Sequence, residues 1–141
     1  MKEYMEEAYK ESLKALRKKE IPVGAVIIKD QKIIAKAHNL RQKKHNILGH
    51  AEILCINKAE KKLKDWRLNG CEMYVTMKPC KMCEEIIKES RLEKVYYLSE
   101  SNYKKYRLQY KIEKINDMDE LNNNYTKYLK NFFKSMRKKL K

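Results

Sequence analysis

Ile21-Pro22-Val23-Gly24-Ala25-Val26-Ile27-Ile28, then Lys29-Asp30-Gln31, then Ile33-Ile34-Ala35, is the stretch that decides the fold. An apolar run, a tight polar turn and a second apolar run read as a β-hairpin with buried strands. Upstream, Met5, Ala8, Tyr9, Ser12, Leu13 and Leu16 recur at three-and-four spacing with charges between them, the pattern of an amphipathic helix laid on a core. Downstream, Lys36 to Gly49 is loop-like and carries His38 and Asn39, with His50 just beyond. Ala51 to Leu63 turns helical through Ile53, Leu54, Ile56, Ala59 and Leu63. Cys71 to Thr76, bounded by Asn69-Gly70 and Pro79, reads as a strand. Pro79 suits the first turn of a helix that Ile86 and Ile87 carry to about Ser90. Val95 to Leu98 is a fourth strand and Tyr110 to Ile115 a weak fifth, with no clear pattern from Glu100 to Lys111. Leu121, Tyr125, Tyr128, Leu129, Phe132, Met136 and Leu140 form the apolar stripe of a last helix.

The order α-β-β-α-β-α-β-β-α predicts an α/β protein, a mixed sheet covered by helices on both faces. Residues 1–141 read as a single domain, without repeat or linker. A chain of 141 residues can bury a core without disulfide staples. Its 43% hydrophobic content, ten Tyr, three Gly and two Pro exclude a disordered chain. No apolar run is long enough for a transmembrane helix. Met1 to Glu7 lacks an apolar signal core, which predicts a cytoplasmic protein. Four cysteines in that setting point to metal or catalysis before disulfides. The formal charge of +15 suits phosphate polyanions. AT-rich coding would also inflate Lys, Asn and Ile. It accounts less well for a last fifteen residues with seven Lys or Arg and no acid.

Two short segments carry chemistry, His50-Ala51-Glu52 and Pro79-Cys80-Lys81-Met82-Cys83. A Cys-x-x-Cys pair at a helix start presents both sulfurs to one metal, and the helix N-terminus favours thiolate over thiol. By itself the pair also fits a redox couple or a structural site. A structural zinc takes four protein ligands, whereas a catalytic zinc takes three and leaves a position for water. His50 is the natural third ligand. Glu52, at the same predicted helix start, can stand beside the metal and carry protons without ligating it. Cys55 and Cys71 lie in apolar periodic runs and read as core thiols.

These residues resemble the zinc nucleobase deaminases, whose H-x-E…P-C-x-x-C signature they reproduce. Within that group the chain is similar to the bacterial tRNA-specific adenosine deaminases. The likeness is carried by Ile21-Pro-Val-Gly-Ala-Val26, Ala37-His-Asn-Leu-Arg41, Gly49-His-Ala-Glu-Ile53, Asp65 to Thr76, Ser90-Arg-Leu92 and Asn131-Phe-Phe-Lys-Ser-Met-Arg137. It runs over residues 1 to 99 and resumes in the final helix. It implies a three-layer α-β-α, cytidine-deaminase-like fold with a five-stranded mixed sheet. It further implies one zinc per chain on His50, Cys80 and Cys83, with Glu52 as the catalytic proton carrier. Water activated at the zinc would attack C6 of adenine and ammonia would leave, giving inosine at the wobble position of a tRNA anticodon. Asn39, Ile21, Pro22 and Ala51 would bind the flipped nucleotide. Phe132, Phe133, Lys134, Arg137 and Lys138 would face the anticodon stem-loop, and the family implies a homodimer.

The chain departs from the family at Lys78, where an acid is usual, and at Glu84 and Glu85, where small residues are usual. The loop Ser99 to Tyr106 is also shortened and rewritten. None of these touches the metal set or Glu52. Lys78 is expected beside the metal-binding helix and off the metal. Two other functions share the motifs. One is deamination of a free nucleobase or nucleoside of the guanine or cytidine type. The other is a catalytically silent RNA-binding partner subunit, against which the presence of Glu52 argues. The basic Phe-Phe-x-x-x-Arg helix and the Asn39 loop favour RNA.

Overall fold

A computed structural model describes residues 1–41, 45–100 and 111–139, with the side chains of residues 138 and 139 excepted. The chain runs α1 (Lys2–Arg17), β1 (Gly24–Lys29), β2 (Lys32–His38), α2 (Ala51–Leu63), β3 (Cys71–Met77), α3 (Lys81–Glu89), β4 (Lys94–Ser99), β5 (Ile112–Lys114) and α4 (Asp119–Lys139). This is the order the sequence predicts. The five strands lie in the order β2-β1-β3-β4-β5. β1 is antiparallel to both β2 and β3, while β3, β4 and β5 run parallel. Asp30 and Gln31 take φ of 50° and 62°, the two positive φ values that let a two-residue loop follow the twist of its strands.

Alternation along the strands builds two cores. Ala25, Ile27, Met73, Val75, Val95 and Tyr97 face Ala51, Cys55 and Ala59 of α2 and Ile87 of α3. Val26, Ile28, Tyr74 and Leu98 face Met5 and Ala8 of α1 and Tyr125 and Leu129 of α4. The sheet is therefore the middle of three layers. Gly24 permits the close approach of α1, since a Cβ there would stand 2.1 Å from the Ala8 carbonyl oxygen. Among the described residues no helix is long and apolar enough to cross a membrane.

Four local readings need correction. Lys36 to His38 is the end of β2 rather than loop, paired with Val26, Ala25 and Gly24. Small Ala35 and Ala37 supply the buried face there, and exposed Lys36 masks the alternation. Pro79 precedes α3 instead of entering its first turn, because Cys80 takes the cap position. In α1 the buried line is Met5, Ala8, Glu11, Ser12 and Ala15, and Leu13 and Leu16 are half-buried at its margin. In α4 the docking line runs through Leu121, Tyr125, Leu129 and Phe133. Tyr128 and Met136 are exposed, so the expected stripe is rotated toward solvent. Of the expectations for the rewritten loop, residues 101–106 lie outside the described residues. So do Tyr110, Leu140 and Lys141.

Candidate functional site

α2 and α3 share one face of the sheet and bring their N-termini to the same place. His50 is the cap of α2, in extended conformation (φ −69°, ψ 142°), and makes no side-chain capping bond. Its imidazole is thereby left for the site. Gly49 brings it there, since a Cβ at Gly49 would stand 2.6 Å from the Arg41 Cα. Leu40 N–H donates to the Gly49 carbonyl at 2.8 Å, so the Asn39–Arg41 and Gly49–His50 segments run side by side. Cys80 caps α3, its Sγ accepting from Cys83 N–H at 3.5 Å. One helical turn on, Cys83 Sγ lies 3.5 Å from His50 Nδ1.

The donor atoms of His50, Cys80 and Cys83 all lie within 4.8 Å of one another. Nitrogen and sulfur ligands at ~2.0–2.3 Å around a tetrahedral ion stand about 3.3–3.8 Å apart. The set can therefore hold a metal ion. Its electrostatics agree with that use. The hydrogen bond from the Cys83 thiol, helped by His50 and the helix N–H, pulls the Cys80 thiol down to about 4. Cys83 is pushed up by donating that bond and by burial. His50 is raised, first by its hydrogen bond with Cys80. Glu52 is 4% exposed, and burial raises its carboxyl above the usual range, toward the protonated form. It sits on the first turn of α2 against the Cys83 thiol.

The remaining residues read from the sequence fall into two places. Ala51 is fully buried at the start of α2. Asn39 is 6% exposed; its Nδ2 donates to the Ile21 carbonyl at 3.3 Å and its Oδ1 accepts from Arg41 N–H at 3.2 Å. Ile21 is half-buried and Pro22 buried beside it. Asn39 thus ties the Ile21–Pro22 segment to the Asn39–Arg41 segment, which runs beside Gly49–His50, and Ala51 follows His50 directly. On α4, Phe132 packs edge-on against Phe133 with centroids 5.5 Å apart, and Lys134 and Arg137 are exposed. The Lys138 side chain lies outside the described residues.

Several partners are not readable from spacing. Lys78 Nζ lies 3.4 Å from Glu100 Oε2 and over the Tyr97 ring at 5.9 Å. The Tyr97 hydroxyl donates to Glu100 Oε1 at 2.7 Å. Lys78 is thus paired with Glu100, and the converging donor atoms are those of His50, Cys80 and Cys83. Glu84 is buried, while Glu85 is exposed. Glu11, 5% exposed, lies 3.2 Å from His38 Nδ1 and 2.6 Å from Lys14 Nζ. Lys18 Nζ lies 3.0 Å from His38 Nε2. An ammonium only donates, so Nε2 accepts and Nδ1–H donates to Glu11. Burial lowers the His38 pKa and keeps that ring neutral. Cys55 and Cys71 are core thiols, as read.

The model of the MafB19-like deaminase family matches residues 1–137. The chain is 49% identical over 94 residues to the tRNA-specific adenosine deaminase of Bacillus subtilis, covering 67% of this chain and 58% of that protein. With the Aquifex aeolicus enzyme of the same name it shares 44% over 97 residues, 68% of this chain and 64% of that one. The chain thus spans about three fifths of the length of the curated relatives it matches. A solved structure from studies of A-to-I editing by tRNA:A34 deaminases superposes with a TM-score of 0.73 at 28% identity, over 81% of this chain and 98% of that one. Guanine deaminase of Bacillus subtilis superposes at 0.67 and 33% identity, over 70% and 64%.

Proposed function

The chain belongs to the MafB19-like deaminase family, and on that premise we propose that it is a zinc-dependent hydrolytic deaminase of adenosine at the wobble position of a tRNA anticodon. The observation that carries the reading is the convergence of His50, Cys80 and Cys83 within 4.8 Å, with buried Glu52 against them. Zinc held by those three donors would supply a Lewis acid that makes water a better nucleophile.

The protein's own groups do the rest. Cys80 enters as a thiolate that the α3 N-terminus and His50 already stabilise. The Glu52 carboxyl takes a proton from the attacking water and returns it to the substrate. A C6–O bond forms, the C6–N bond breaks and ammonia leaves. Burial suits Glu52 to this, because a carboxyl that binds protons readily can both receive and release one. Asn39, Ile21, Pro22 and Ala51 wall the nucleotide. Asn39 still has one amide hydrogen and an acceptor lone pair unspent by the two bonds described above. Phe132, Lys134 and Arg137 face the stem-loop, as part of a cytoplasmic homodimer acting on tRNA, whereas Phe133 is spent on the core.

The substrate follows from the relatives' names and from the basic last helix. Similarity to a guanine deaminase favours a second reading, a free-base substrate. One experiment separates them: incubate the purified protein with total tRNA and, separately, with guanine, adenosine and cytidine. Inosine appearing at the anticodon wobble position supports the proposal. Ammonia release from a free base or nucleoside with unaltered tRNA would overturn it.

A further inference from the structure

Tyr125 of α4 is fully buried, and its hydroxyl stands in the middle of a chain of hydrogen bonds with one direction. Gly24 N–H donates to Thr76 Oγ1 at 3.1 Å. The Thr76 hydroxyl donates to Tyr125 Oη at 3.1 Å, and the Tyr125 hydroxyl donates to the Pro22 carbonyl at 2.7 Å. Each hydroxyl accepts once and donates once, so neither can turn without breaking a bond. Both ends of the chain land on the backbone of one short segment, at Pro22 and at Gly24.

The same segment is held from its other side by Asn39. Asn39 N–H donates to the Val23 carbonyl at 3.0 Å, and its side-chain amide donates to the Ile21 carbonyl at 3.3 Å. Ile21 to Gly24 is thus clamped between the Asn39 side chain and the α4 hydroxyl. Thr76, in the middle of the clamp, is also the residue of β3 just ahead of the Met77-Lys78-Pro79 lead into Cys80. Burial keeps the Tyr125 hydroxyl protonated, and so a donor.

We propose that Tyr125 is a positioning residue, whose hydroxyl fixes the Ile21–Gly24 segment, and through it the Asn39 amide, against the His50–Cys80–Cys83 cluster. This rests on the deaminase reading above. Removing the hydroxyl leaves the buried Pro22 carbonyl without its donor. A buried carbonyl without a partner is costly, and the segment shifts to recover one. A displacement near 1 Å at a reacting site can cost about a hundredfold in rate.

The test uses the full chain loaded with zinc and an anticodon stem-loop bearing adenosine at the wobble position, in single turnover. Tyr125→Phe should lower the maximal rate about tenfold or more, with zinc content unchanged and half-saturation within about threefold of the parent, because the exposed Lys134 and Arg137 are untouched. Hydrogen exchange should quicken at the amides of Val23, Gly24 and Asn39. Thr76→Val should reproduce both effects, and Thr76→Ser, which keeps the hydroxyl, should abolish them. Tyr74→Phe removes a hydroxyl from an equally buried tyrosine of the same core and should leave rate and exchange at parental values. A Tyr125→Phe protein with parental rate and exchange overturns the proposal. So does an equal loss in Tyr74→Phe, which would make the effect one of packing. A parent that deaminates no stem-loop overturns the functional reading itself, and the proposal with it.

Discussion

Glu52 is a buried acid that the fold holds toward its protonated form, and such a group seldom serves stability. An ionised carboxylate at 4% exposure is costly, and an amide of the same shape would avoid that cost. We therefore expect Glu52→Gln to retain zinc and RNA affinity while losing deamination by about 10²–10⁴-fold or more, the span for a lost proton carrier. Activity within tenfold of the parent would assign the proton work elsewhere. The cysteines divide in the same way. Cys80→Ser and Cys83→Ser should release zinc, measured by metal analysis of the purified variants. Cys55→Ser and Cys71→Ser should keep it, since both lie in the core between α2 and the sheet. Metal retained in Cys80→Ser but lost in Cys55→Ser would sink the three-ligand site. These residues were legible because His-x-Glu and Cys-x-x-Cys are local spacings, each gathered by a single helix start. Glu11 and His38 are 27 positions apart, and Tyr125 and Pro22 are 103 apart. No local pattern announces partners that only the tertiary fold brings together.

Among the elements, the hairpin, α2 and the order of the layers followed from periodicity, because burial on both faces writes continuous apolar runs. The phase of α4 did not. Its sequence offers apolar residues on more than one side, and only packing against Val26, Tyr74 and Leu98 selects Tyr125, Leu129 and Phe133 for the core. The junction between β3 and α3 gives the element-scale prediction. Lys78 N–H donates to the Ser99 carbonyl at 2.9 Å, tying this lead to the end of β4. The side-chain pair between Lys78 and Glu100 is partly exposed, at 23% and 56%. Such pairs are worth only ~0.2–1 kcal/mol. Lys78→Glu sets two acids face to face, and should lower Tm slightly while leaving deamination within about tenfold, the scale of an ordinary surface change. Exchanging the charges, Lys78→Glu with Glu100→Lys, should restore the Tm. If Lys78→Glu abolishes activity and the exchange fails to return it, the lysine acts on the substrate directly.

At the scale of the whole molecule, the question is what the net charge of +15 is for. Charge spread evenly by coding composition would speed encounter with any polyanion but would fix no register on RNA. Charge placed on one exposed element would do both. The last helix offers such a place. Its apolar line through Leu121, Tyr125, Leu129 and Phe133 is spent on the core, which leaves Lys134 and Arg137 exposed on the rest of its surface. Replacing both with Ala removes two positive charges without touching a buried residue, so folding and zinc content should not change. If both neutralise phosphates, affinity for an anticodon stem-loop should fall. The slope of log affinity against log salt should become shallower by roughly 0.7–0.9 for each phosphate no longer neutralised. Release of ammonia from free adenosine, which has no phosphate, should be unaltered. The salt titration checks this directly, with Lys2→Ala and Lys32→Ala as a control pair carrying the same charge change on other elements. Equal slope changes in both pairs would make the charge a diffuse field and no docking surface. An unchanged slope in both would remove the electrostatic case for RNA and return weight to a free-base substrate, because the donor set of His50, Cys80 and Cys83 with Glu52 would serve either one equally.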